Sequence, residues 1–324
     1  MSPGGQRAAT LGVRSPYSPV PPPTVPHVSA ATTNRPVVGA ASPGAVGMVV
    51  TGIVSVQVGG AFAATLFDRV GAAGAVVLRL VFAAAVLVVF VRPHLRQWSR
   101  GDVGAVVVFG ATLGAMNLTF YQALARLPLG AAVTLEVLGP LTVAVATGRR
   151  RRDALWAVLA FAGVLLLGGG DLHLDPVGVL FALAAGAGWG CYIFASASAG
   201  RRFPGSEGLV GAMVVAAVIA CPFGVPDLVA GTLDGPVLLA GLGIALASSV
   251  VPYSLELVAL RRLAPAVFGV LMSLEPAVAA VAGLVVLDQR LTAPGVLAVL
   301  LVVAASAGAS LTGRSDNRAR VAPD

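Results

Sequence analysis

Four ionisable side chains stand inside long apolar runs: Arg79, Glu136, Glu256 and Glu275. A charge at the bilayer centre costs roughly 2.5–3.5 kcal/mol on insertion scales, so each of them needs water, a partner or a neutral protonation state. One cation and three acids suit a zwitterion. The cation can meet a carboxylate and one acid an ammonium, which leaves another carboxyl free to take up a proton. The chemistry these positions imply is binding and release of a small amine-bearing solute coupled to proton movement.

Arg79 and Glu136 each lie seven residues from one end of their runs, about 10 Å deep at about 1.5 Å per residue, so they are expected to meet in one layer. Two readings follow. Either Arg79 binds a substrate carboxylate and exchanges partners with Glu136, or the two form a static pair or the arginine snorkels to the headgroups. Glu275 precedes Pro276, which removes a backbone donor and loosens the helix. It reads as a proton carrier, as an anchor for an ammonium, or as a neutral acid bonded to a freed carbonyl. Glu256 shares a helical face with Ser249, Pro252 and Tyr253. It also lies about one turn from Arg261, so an interfacial ion pair is an equal reading.

Neutral groups form two further stripes, Gly110, Gly114, Asn117 and Tyr121 in one run and Trp189, Tyr192 and Ser196 in another, and Gln57 adds an isolated amide. Glycine beside a polar or aromatic residue suits a cavity wall. For Trp189 and Tyr192 helix packing competes with that reading, and for Asn117 and Gln57 an interhelical hydrogen bond does.

These residues must be positioned by helices that cross a membrane. The chain is 57% hydrophobic and 11% charged, with a mean hydropathy of +0.91, far more apolar than a soluble domain. A hydrocarbon core about 30 Å thick takes about 20 apolar helical residues. Ten such runs are found, near 44–66, 72–91, 102–124, 129–147, 154–170, 176–198, 207–226, 236–260, 266–287 and 293–312. They are rich in Ala, Gly, Val and Leu without period-2 alternation, which predicts an all-α membrane protein rather than a β-barrel. Residues 1–43, with Pro21-Pro22-Pro23, are expected to form a disordered tail, and 313–324 a short C-terminal tail. The first apolar run starts too late for a secretory signal and is long enough to span.

All 21 basic residues are arginine. With the N-terminal tail in the cytoplasm, 17 of them fall on cytoplasmic segments and only Arg69, Arg126 and Arg290 outside. The positive-inside rule therefore predicts a multi-pass plasma-membrane protein with both termini cytoplasmic. The same bias accounts for a pI near 10.6 without nucleic acid, for which no aromatic-interleaved basic domain exists. Cys191 and Cys221 sit in spans without a Cys-x-x-Cys or histidine partner, so free thiols and no metal site are expected. The lysine-free chain has no Gly-x-x-x-x-Gly-Lys motif and so no ATP-driven pump in itself. His27, His94 and His173 lie in the tail or loops, which argues against a membrane enzyme. No cofactor is expected; the lipid bilayer and a small solute are the expected partners, and the oligomeric state is left open.

The chain also repeats itself. Ala123-Leu-Ala-Arg-Leu127 and Ala259-Leu-Arg-Arg-Leu263 are each followed by a proline, Pro140 and Pro276, at a constant offset of 136 residues, and Val58-Gly-Gly-Ala-Phe62 echoes Gly188-Trp-Gly-Cys-Tyr192. Each half, 44–170 and 176–312, holds five spans. Five is odd, so the second half enters from the opposite side, and such an inverted repeat normally places a site near the midplane and works by alternating access. With Leu129-Gly130, Leu135-Glu136, Gly139-Pro140, Pro252-Tyr-Ser-Leu-Glu256 and Leu271-Met-Ser-Leu-Glu-Pro276, the chain resembles EamA-type members of the drug/metabolite transporter superfamily, and most of all the threonine/homoserine exporters among them. The resemblance covers about residues 45–312 and implies a ten-helix, proton-coupled exporter of small amino acids, with a multidrug or other metabolite exporter as the alternative. One departure stands out: many members read Leu-Gly-Glu where this chain has Leu287-Asp288-Gln289.

Overall fold

A computed structural model describes residues 43–94, 97–147, 151–169, 174–203, 205–260, 262–263 and 265–319. The expected N-terminal tail lies outside them, apart from its last residue. Every regular element among the described residues is a helix, as lipid demands, because a helix satisfies its own backbone groups where water is absent. The helices in order are α1 (Pro43–Ala64), α2 (Phe67–Val91), α3 (Arg100–Leu124), α4 (Leu129–Glu136), α5 (Leu138–Thr147), α6 (Arg151–Gly169), α7 (Pro176–Arg202), α8 (Glu207–Ala230), α9 (Gly235–Ala245), α10 (Val251–Leu260), α11 (Pro265–Met272), α12 (Glu275–Leu287) and α13 (Ala293–Ala319). Among the described residues nine stretches are long and apolar enough to cross a membrane, and Leu155–Leu166 of α6 is a shorter tenth.

Three of the expected spans are not continuous helices. The fourth breaks at Val137 between α4 and α5, the ninth at Ser273-Leu274 between α11 and α12, and the eighth carries a π-helical segment, Leu246–Val250, between α9 and α10. Proline is the common cause, since each ring removes the N–H that would bond the carbonyl four residues earlier. Pro140 and Pro276 stand just past the two breaks and Pro252 just past the π segment. The breaks in the fourth and ninth spans fall at matching places in the two halves.

Packing follows the same relation. α2 lies on α8, α4 on α12 and α6 on α13, so these spans pack on their own counterparts. The pair α3/α7 is matched by α1/α10, and α4–α5 on α7 by α12 on α1. This is the inverted five-plus-five arrangement. Gly139 and Gly186 meet where α5 crosses α7: a Cβ on Gly139 would overlap the Gly186 carbonyl, and one on Gly186 would lie 2.7 Å from the Glu136 carbonyl oxygen.

Helix ends are tied at both faces of the bundle. At the arginine-rich end Ser99 and Asp102 form a reciprocal capping box at the start of α3, Arg202 reaches Asp102 at 3.3 Å, and Glu207 meets His94 at 3.3 Å and Trp98 Nε1 at 3.4 Å. At the opposite end Arg69 pairs with Asp234 at 2.7 Å and Arg126 with Asp175 at 3.7 Å. Asp234 caps α9 through the Val237 N–H, and that bond, followed by Arg69, holds its carboxyl below the usual range.

Because the Gly139/Gly186 crossing has no room for a side chain, Gly139→Ala should lower stability by about 1–3 kcal/mol, whereas Gly243→Ala, whose Cβ would meet nothing within 4 Å, should not. Thermal unfolding of the two variants in detergent checks this.

Candidate functional site

The polar residues of the spans converge on one cavity of about 720 Å³. Gln57 of α1, Arg79 of α2, Asn117 of α3, Glu136 at the end of α4, Trp189 and Tyr192 of α7, Tyr253 and Glu256 of α10, and Glu275 at the start of α12 all line it. It runs along α7 past Ser196 and Gly200 to the Phe203–Leu209 connection and to Ser306 and Ser310 of α13, so it reaches the arginine-rich end. Seven aromatic side chains line it, including Phe109 and Phe120 deep in the bundle and Phe203 and Phe268 toward that end.

Arg79 is buried, and its surroundings explain how a guanidinium is held there. Nη2 donates to the Ser248 carbonyl at 2.8 Å, Nε to the Ser249 hydroxyl at 3.1 Å and Nη1 to the Tyr121 hydroxyl at 3.2 Å. The Tyr121 ring also lies under the guanidinium, 5.6 Å from its centroid, a favourable cation–π placement. The Ser248 carbonyl is available because Pro252, four residues on, has no N–H to give it. The neighbouring Ala247 carbonyl likewise turns outward and accepts from Ser55 Oγ at 2.7 Å. The π segment and Pro252 thus turn two backbone oxygens of one span toward other helices.

Arg79 does not pair with Glu136, contrary to the expectation drawn from their equal depth. Among the described residues no carboxylate lies within 4 Å of the guanidinium, and its protein partners are neutral. Equal depth does not place two side chains on facing helices. Both nevertheless line the cavity, and a guanidinium has five donors, of which the protein engages three. Glu136, Glu256 and Glu275 make no hydrogen bond or ion pair with a described residue. Arg261, the alternative partner of Glu256, lies outside the described residues.

The remaining candidates divide by what they touch. Tyr121 is fully buried behind Arg79, outside the wall, and packs on Phe67 and Phe120. Tyr192 is in the wall and also packs against Phe109 with ring centroids 5.3 Å apart. Among the described residues Asn117 forms no interhelical bond; its Nδ2 donates to the Leu113 carbonyl of its own helix at 2.8 Å. Gln57, 4% exposed, has no hydrogen-bond partner among the described residues. Along the eighth span the wall reads Ser248, Pro252, Tyr253 and Glu256. The extra residue of the π segment rotates Ser249 out of the expected stripe and onto Arg79.

Two contributors were not among the sequence candidates. The Ser248 carbonyl was signalled only by a proline four residues later. Gln289, at the place of the departure noted above, accepts the Leu129 N–H at 2.9 Å and so ties the start of α4 to the α12–α13 connection. Asp288 before it takes the left-handed conformation with φ +52° as the C-cap of α12, a place where glycine would be unstrained. A neutral amide oxygen suffices for this bond.

Comparison with known proteins adds the following. The sequence profile of the EamA-like transporter family matches residues 176–311. The threonine/homoserine exporter RhtA of Salmonella typhimurium is 39% identical over 265 residues, 81% of this chain and 90% of that protein. RhtA of Escherichia coli K12 is 38% identical over 274 residues, 84% and 92% of the two chains. One solved crystal structure, 21% identical, superposes with a TM-score of 0.56 over 83% of this chain and 99% of its own, a likeness of fold alone.

Gln289→Ala removes the acceptor for the first N–H of α4, at a cost of about 1 kcal/mol by analogy with other helix caps. Amide exchange in residues 129–133 should quicken in that variant and stay unchanged in Gln289→Glu, as read by mass spectrometry on detergent-solubilised protein.

Proposed function

The chain belongs to the EamA-like transporter family, and from that membership and the cavity we infer that it is a secondary exporter of small amino acids such as threonine and homoserine. Proton antiport with alternating access is the proposed mechanism, and the plasma membrane, with both termini cytoplasmic, the proposed location. The observation that carries the reading is the wall composition: one guanidinium with donors to spare and three carboxyls without partners among the described residues face one space. In this reading the free N–H groups of Arg79 receive the substrate carboxylate. One of Glu275, Glu136 and Glu256 receives the ammonium, and another carries the counter-moving proton. No cofactor enters; the proton gradient supplies the energy.

A second reading has a specific observation behind it. A multidrug or metabolite exporter would need a roomy, aromatic cavity, and about 720 Å³ with seven aromatic side chains is more than the chain's 6% aromatic content suggests. It is also far larger than a single threonine.

Proton-driven efflux of labelled threonine and homoserine from proteoliposomes separates these. Under the amino-acid reading efflux follows the imposed gradient, and Glu136→Gln and Arg79→Gln each lower it by about tenfold or more, the value of a hydrogen bond to a charged partner. Efflux of an organic cation such as ethidium, with no movement of either amino acid, would establish the second reading instead.

A further inference from the structure

Gln57 is a buried amide that lines the cavity and has no hydrogen-bond partner among the described residues. Its polar atoms are not among the fully enclosed unpartnered ones, Trp156 Nε1 and Ser248 Oγ, so the amide opens on the cavity with its hydrogen bonds free for what the cavity holds. Asn117 differs, because its amide nitrogen is already committed to Leu113.

The position of Gln57 narrows what it meets. It lies on α1 between Gly52, which packs on Pro252, and Gly59, whose Cα approaches the Ser248 hydroxyl. That is the segment of the eighth span that holds Arg79. On its other side α1 packs on the ninth span: Ile53 clusters with Met272 and Val278, and Ala61 with Ala279, so Gln57 is level with the turn bearing Glu275. One turn along the same face is Gly60, which also lines the cavity and beside which a Cβ would meet nothing within 4 Å. An uncommitted amide therefore stands next to open space, at the level of both the guanidinium and a carboxyl.

We propose that Gln57 determines specificity by reading a hydroxyl on the substrate's side chain, its NH₂ donating to that oxygen and its carbonyl accepting the hydroxyl proton. The assignment rests on the amino-acid reading above, in which Arg79 and a glutamate hold the two charged ends and leave the side chain to be read. A site that hydrogen-bonds a substrate hydroxyl rejects the analogue lacking it, because its own polar group is then left unpaired. Threonine and valine are the pair that isolates this term, equal in shape and in both charged ends and differing by a hydroxyl for a methyl.

The test compares threonine and valine efflux efficiency in proteoliposomes for wild type, Gln57→Leu and the volume-conserving Gln57→Met, with thermal stabilisation of the purified proteins by each amino acid as a second readout. Wild type should favour threonine, and both variants should narrow the preference by about fivefold or more, the value of one neutral hydrogen bond, chiefly by weakening threonine while valine is retained or improved. An unchanged preference, or equal losses for both amino acids, overturns the assignment to Gln57 and leaves the exporter reading intact. If Arg79→Gln leaves both substrates unaffected, the charged-end reading has failed. A narrowed preference in the Gln57 variants would then still support hydroxyl recognition. A wild type that moves and binds neither amino acid overturns both.

Discussion

The structure depends on what happens to a backbone carbonyl when the residue four places on is proline. In water the oxygen would be solvated; within a bilayer it must be answered by protein, so each such proline obliges another element to come close. Pro252 is the clearest case, because the Ser248 oxygen it leaves free is bonded by a buried guanidinium from a different helix. That one bond connects a sequence choice in the eighth span to the location of the one arginine that lines the cavity among the described residues. Pro140 and Pro276 act in parallel, breaking the fourth and ninth spans where Glu136 and Glu275 emerge.

The two breaks set the acids differently in spite of the repeat. Glu136 ends α4, whereas Glu275 begins α12, so the inverted halves present their carboxyls at opposite ends of a short helix. Helix termini carry partial charges of opposite sign. The two carboxyls thereby sit in unlike backbone surroundings although the halves are related by the repeat. Close passage of α7 over the first break, allowed by Gly139 and Gly186, brings Trp189 and Tyr192 into the same wall.

Much of this was legible beforehand for definite reasons. The bilayer imposes a length and a polarity on every span, so ten runs, their division into two halves of five and the identity of the polar residues inside them could be read along the chain. The cavity gathers Gln57, Arg79, Asn117, Glu136, Trp189, Tyr192, Tyr253, Glu256 and Glu275 because polar groups in lipid have few other places to go. What was not legible was who faces whom. Depth along two helices predicted an Arg79–Glu136 pair, but the angular position of a side chain depends on the packing of neighbours far away in sequence. Tyr121 for this reason holds Arg79 from behind. The π segment adds a local cause, since a single extra residue exchanged Ser249 for Ser248 in the wall. Gln289 escaped notice because a capping amide has no signature apart from the helix it caps.

The ties at the two ends of the bundle have a mechanical consequence. Arg69–Asp234 at one end and His94 and Trp98 with Glu207 at the other fasten α2 to the second half at the cap of α9 and the start of α8, and Arg126–Asp175 and Arg202–Asp102 join α3 to α7 at both ends. All are closed at once. Closed together, they join α2, α3, α7 and α8 of the two halves into one frame at both faces of the bundle. The spans interrupted beside a proline, the fourth, eighth and ninth, are not among those four, so the cuts in the helices fall beside the glutamates.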